Sequence, residues 1–372
     1  MEDSLVQALH TQVLWAAFGL AAVFGAIAQR THFCTMGAVS DIVLIGDWTR
    51  MRMWVMAMGV AIIGFNSMVA LGWVDASKSL YGGPRVLWLS ALVGGAMFGF
   101  GMVLASGCGS KTLVRLGGGN LKSLVVFIVL GLTAFATLKG ITAVARVATV
   151  DAVAVTLPAG QDLPSLLAAA GGFAPTMAAA ALGLALGSAL IGWAVWRPEG
   201  RSADVLLAGL GIGAVIVAVW WVSGHLGHLD EDPATLEEVF VATNSRRMES
   251  LSFVAPLAYA LDWLMFFSDT SKLLTIGIVA VAGVVAGSAA VALLSRDFRV
   301  EGFRDASDTG LHLAGAALMG VGGVTALGCT IGQGLSGIST LSVGSFIAVA
   351  AIIGGAVAAL RWQAWRIDRA TS

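Results

Sequence analysis

Long apolar runs recur along this chain, and their lengths give the first reading. Nine are long enough to cross a bilayer: residues 13–28, 54–73, 87–105, 121–143, 176–196, 205–222, 273–294, 311–327 and 343–362. A helix needs about 20 apolar residues to span the hydrocarbon. None of the seven prolines falls inside these runs, and tryptophans cluster at their ends, as interfacial anchors do. Four shorter apolar pieces remain, 36–46, 110–116, 251–267 and 331–339, the third interrupted by Pro256. They predict re-entrant half-helices, which survive at membrane depth only where protein or a water-filled cavity surrounds them. The expected fold is an all-α polytopic membrane protein, with residues 1–372 forming a single integral membrane domain.

Composition sharpens this picture. Charged residues make up 12% of the chain, where a soluble domain carries about 25%. The N-terminus "MEDSLVQALHTQ" lacks a basic leader or a small-residue cleavage site, so no removable signal peptide is expected. A formal net charge of −1 suggests no nucleic-acid partner. With nine spans the termini fall on opposite sides. An outside N-terminus puts 14 of the 21 Lys and Arg residues on the inner face. The positive-inside rule then sets the N-terminus periplasmic and the C-terminus cytoplasmic.

The chain repeats itself. "GGAMFGFGMVLASGC" (94–108) overlays "GAALMGVGGVTALGC" (315–329) at an offset of 221, matching Gly94, Gly99, Gly101, Gly107 and Cys108 among others. Gly25 precedes Cys34 by nine, as Gly99 precedes Cys108 and Gly320 precedes Cys329. The third span runs inward and the eighth outward, so an inverted-topology repeat is expected, with halves 13–143 and 176–362. Such repeats place their site near the midplane at broken helices. Packing alone enriches small residues between spans, but it does not place all three cysteines at one register.

Three widely separated cysteines make a disulfide framework improbable, so free thiols are expected. A buried neutral thiol is a weak donor that can meet an anion without repelling it. Each cysteine precedes a short apolar piece whose helix N-terminus would add free N–H groups and a positive dipole end. Flanking glycines let backbone approach a ligand. The candidate transport residues are therefore Cys34, Cys108 and Cys329, with Gly107, Gly109, Lys111, Gly328, Thr330 and Gln333 beside them. The bland alternative is that a free cysteine in a span is a small apolar filler. No Cys-x-x-Cys occurs, and His32 alone near Cys34 makes a poor metal site. No catalytic residue, metal or cofactor is expected.

Other features carry less. Lys111 and Arg115 share a face of the short helix after Cys108 and could draw an anion, although positive-inside bias alone predicts them. "SGHLGHLDED" (223–232) reads as a solvated loop and 232–250 as an exposed amphipathic helix. Asp262 is an intramembrane acid and a functional candidate by default. Nothing suggests an ATP-driven motor or a hydrolase. A membrane sulfurtransferase using a cysteine persulfide, or a regulatory subunit, would be the competing classes.

"FCTMGAVSD", "ASGCGSKTLVRLGGGNLKSLVVF" and "LGCTIGQGLSGISTLSVGSFIA" resemble the three cysteine motifs of the YeeE/YedE family of sulfur-transport membrane proteins. The resemblance covers essentially the whole chain. It implies an hourglass-shaped protein of the bacterial inner membrane, built from inverted repeats, that takes up thiosulfate. It further implies that Cys34, Cys108 and Cys329 pass the ion along by transient thiol–sulfur hydrogen bonds. Some members handle selenium or other sulfur compounds. With no fused sulfur-carrier domain expected here, a separate cytosolic sulfurtransferase is the implied protein partner, besides the lipid bilayer.

Overall fold

A computed structural model describes residues 2–232 and 236–371. The nine expected spans are all helices: α1 (Glu2–Thr31), α3 (Thr49–Ala70), α4 (Trp88–Leu104), α6 (Leu121–Lys139), α9 (Pro175–Trp196), α10 (Ala203–Trp221), α12 (Ile276–Leu294), α13 (Ala306–Thr325) and α14 (Val343–Thr371). Eight segments among the described residues are long and apolar enough to cross a membrane, and α13 is not among them. Its length suffices, but its first turns carry Asp308 and His312, held by Lys122 at 2.7 Å and by the Asp308 carbonyl at 2.8 Å. The chain is an all-α polytopic membrane protein.

The four short apolar pieces are helices as well. They are α2 (Thr35–Ile45), α5 (Gly109–Gly117), α11 (Ala255–Met265) and a helix over 330–339 that widens to a π-turn at Gly332–Gly337. Pro256 does not break its piece. It occupies the first turn of α11, where a missing N–H is tolerated. The sixth apolar run is correctly placed, but the fourth ends early. Gly140 adopts an extended conformation (φ −105°, ψ −154°), so α6 stops and α7 (Ile141–Ala148) begins. A further helix, α8 (Leu163–Gly171), completes the set. The amphipathic helix expected over 232–250 is absent from the described residues. Val239–Phe240 instead pairs antiparallel with His228–Leu229, and the segment folds back as turns; residues 233–235 lie outside the described ones.

Glycine decides how the long helices meet. α4 and α13 cross antiparallel through backbone contact. A Cβ at Gly94 would lie 2.6 Å from the Gly322 carbonyl oxygen, and one at Gly322 would lie 2.6 Å from that of Gly94. Gly101 and Gly315 meet the same way, at 2.7 and 2.6 Å. These contacts are reciprocal at the offset of 221, because Gly94 corresponds to Gly315 and Gly101 to Gly322. The flanks follow suit. Gly99 lies against the Ile352 carbonyl of α14, and Gly320 against the Leu130 carbonyl of α6. Likewise α1 packs on α12 while α3 packs on α10. In lipid there is little hydrophobic drive between helices, so close backbone approach of this kind is what holds them together.

Candidate functional site

All three cysteines are free and buried, with exposures of 8% (Cys34), 1% (Cys108) and 0% (Cys329). Each sits in one local construction. A long helix ends, a non-glycine residue turns left-handed, one residue follows, and the cysteine then starts a short helix. The left-handed residues are His32 (φ 54°), Ser106 (φ 56°) and Leu327 (φ 57°), each two positions before its cysteine. That conformation costs roughly 1 kcal/mol for an L-residue, so its recurrence at three thiols marks a turn imposed by the surroundings. The short helices close alike: Gly46 (φ 73°), Gly119 (φ 94°) and Leu341 (φ 57°) each turn left-handed after the last turn.

Two of the thiols act as helix caps. Cys34 Sγ accepts from the Gly37 N–H at 3.4 Å, and Cys329 Sγ accepts from the Gly332 N–H at 3.4 Å. Cys108 differs, because its Sγ lies 3.2 Å from Ser110 Oγ. The helix starts converge. The thiols of Cys34 and Cys108 interact directly, and the Thr330 hydroxyl approaches Cys108. The Phe253 backbone reaches Cys329 from the start of α11. A Cβ at Gly109 would meet the Phe253 carbonyl at 3.1 Å, so glycine is what lets α5 and α11 close together. Four helix N-termini, three of them carrying sulfur, thus point partial positive charge at one small volume. The fourth, capped at Val254, brings no thiol.

The remaining expected residues divide. Lys111 stands one turn into α5 within electrostatic reach of Cys34 and Cys108, its stem against Gly107. Arg115 donates Nη1 to the Ser106 carbonyl at 2.7 Å, so it fastens the left-handed turn. Gly328 (φ 159°) packs against Gln333, whose Nε2 donates to the Ala326 carbonyl. Asp262 does not join the thiols; it is paired with Lys272 at 2.5 Å at the end of α11. His225 lies between Trp73 and Trp221, and His228 bonds Glu238. Among the described residues no cluster of three or more metal-ligating side chains occurs.

A second set of groups surrounds the 330–339 helix, of which sequence reading named Thr330 and Gln333 but missed Trp54, Tyr81 and Ser345. Trp54 Nε1, Tyr81 Oη, Thr330 Oγ1, Gln333 Oε1 and Ser345 Oγ are buried without conventional hydrogen-bond partners. An unpaired buried polar group typically costs 1–3 kcal/mol, and such groups usually wait on water or ligand. Tyr81 and Ser252 press on Gly332, Trp54 on Gly334, and Ser345 on Gly337. The glycine spacing of "GQGLSG" was the available signal, since it marks backbone that others approach closely.

Cavities flank the thiols at opposite ends. One of about 490 Å³ lies past the end of α4 and is lined by Ser106, Lys111, Arg115, Lys122, Arg299 and Asp308. Two others, of about 160 and 30 Å³, lie past the end of α13 and share Leu80 and Leu327. Because α4 and α13 run antiparallel, these ends face opposite ways.

Broken helices that meet at buried thiols, with a cavity on either side, define a membrane transport protein rather than a catalyst. The chain belongs to the sulphur transport family, whose sequence profile matches residues 30–358. It is similar to the thiosulfate transporter TsuA of Escherichia coli (26% identity, 84% of each chain). It is also similar to the thiosulfate transporter TsuA of Spirochaeta thermophila (25% identity, 90% of this chain and 94% of the relative). The probable transporter YedE of Salmonella typhimurium is 33% identical over a shorter stretch, 30% of this chain and 26% of the relative.

Proposed function

We propose that this protein carries thiosulfate into the cell across a bacterial inner membrane, passing it between the thiols of Cys34, Cys108 and Cys329. The observation that carries the reading is that all three cysteines stand at the starts of short helices converging on one volume between two cavities. Thiosulfate is a dianion with oxygens at one end and a soft sulfur at the other. Helix N-termini and Lys111 attract its charge, while thiols offer the soft end weak hydrogen bonds. Weak stations let an ion leave as well as arrive. Cys108 is the middle station, since it interacts with Cys34 on one side and with Thr330, next to Cys329, on the other. Uptake of sulfur-labelled thiosulfate into cells or vesicles tests this. Thiosulfate should compete strongly and sulfate weakly, and Lys111→Ala should lower uptake moderately without loss of protein. Equal competition by sulfate would remove the role of the soft sulfur.

The reciprocal glycine contacts support reading residues 13–143 and 176–362 as inverted repeats, because an isologous pairing is what a two-fold axis between α4 and α13 produces. The larger, more basic cavity then faces the cytosol. On this reading the N-terminus is periplasmic and the C-terminus cytosolic. A reporter active only in the cytosol should work after Ser372 and fail before Met1; activity at both ends would refute that topology.

A further inference from the structure

Glu249 is a half-buried acid beside a cavity. It lies in the segment between α10 and α11 and lines the 160 Å³ cavity with Arg146, Ser252 and Tyr259. Its carboxylate accepts from Ser245 Oγ at 3.0 Å and from the Asn244 backbone. Two basic residues near it have other partners. Arg146 of α7 pairs with Asp151 at 3.0 Å, and Arg247 donates to the Ser79 carbonyl at 3.4 Å. From the other elements around it, the titratable groups are Tyr81, ahead of α4, and Tyr259 of α11; both feel its charge. Tyr81 feels Cys329 as well, and Leu80 and Leu327 line both this cavity and the smaller one beside Gln333. The acid thus lines a cavity that reaches Leu327 and Gly328, the two residues before Cys329. Desolvation of this half-buried group pushes its carboxyl up to about 7.

We infer that Glu249 takes up a proton when an anion reaches the Cys329 station, so that anion binding at this end of the path is proton-linked. The inference rests on the transport reading above. A like charge nearby disfavours the ionised carboxylate, and by reciprocity the neutral acid favours the anion. Protonated, Glu249 leaves the local field to the helix N-termini; ionised, it opposes an incoming dianion. No net proton movement across the membrane is required.

The test is the pH profile of thiosulfate uptake and binding for wild type and Glu249→Gln. Wild-type half-saturation should weaken as outside pH rises above 7, with a limiting slope of about tenfold per unit. Glu249→Gln should hold the acid-side affinity across the range, and Glu249→Asp should keep a pH dependence. Calorimetry of thiosulfate binding in two buffers of different ionisation heat should find up to about one proton taken up per ion by wild type above pH 7, and none by Glu249→Gln. Binding without proton uptake by the wild-type protein would overturn the inference even if the variant fails to fold. So would one shared pH profile for wild type and Glu249→Gln. A wild-type protein that takes up no thiosulfate at any pH would instead overturn the transport reading, and this inference with it.

Discussion

Cys108→Ala should abolish most thiosulfate uptake while the protein still folds and reaches the membrane. The thiol is 1% exposed, lies 3.2 Å from Ser110 Oγ and interacts with Cys34 and the Thr330 hydroxyl, so it links the two ends of the path. Removing its sulfur leaves a small cavity, worth about 1 kcal/mol in stability. Cys329→Ala should act similarly, because it removes the sulfur that receives the Gly332 N–H at that end. Serine keeps a hydroxyl donor and nearly the same volume, yet oxygen is harder and better hydrated, so Cys108→Ser and Cys329→Ser should also lose most uptake. Double variants should add little once either station is gone. Labelled uptake, normalised to membrane-inserted protein, is the measurement. Wild-type rates in well-expressed alanine variants would make the cysteines packing residues.

Gly94→Leu should cost about 2–3 kcal/mol or leave no folded protein, the upper range for overpacking. A Cβ there would lie 2.5 Å from the Ala326 backbone nitrogen and 2.6 Å from the Gly322 carbonyl oxygen, and backbone cannot swing aside as a side chain can. Gly315→Leu should behave alike, since it meets the Gly101 carbonyl at the reciprocal position. Gly310→Ala in α13 is the control. Nothing lies within 4 Å of its Cβ position, and alanine has the better helix propensity, so stability should hold or rise slightly. Thermal unfolding in detergent separates these outcomes. Equal melting temperatures for Gly94→Leu and Gly310→Ala would mean the crossing does not hold the fold together.

Cys34, Cys108 and Cys329 were legible as a set because each ends an apolar run and starts a short one, a contrast that survives without any tertiary information. Lys111 was legible for the same reason, lying one turn into such a piece. Arg115 was legible as a basic residue on the same face, but its role was not: its hydrogen bond to the Ser106 carbonyl depends on a turn whose left-handed residue carries no glycine signature. The helix expected over 232–250 failed because an amphipathic pattern does not reveal a hairpin partner, here His228–Leu229. Likewise Pro256 read as a break, although at a first helical turn it is compatible with a start.

Length and hydropathy by themselves determined the nine long helices, the four short ones and the sulfur-bearing starts of three of them. Both are local properties, set by the hydrocarbon thickness and by the need to satisfy backbone groups within each segment. Tertiary structure alone decided that Cys34 interacts with Cys108, that Thr330 stands near the same thiol, and that α11 joins them without one. It alone brought Trp54, Tyr81 and Ser345 to the glycines of the 330–339 helix, and set Glu249 within electrostatic reach of Tyr81. Those residues come from separate elements, and only the close glycine crossings that fix helix positions bring them together.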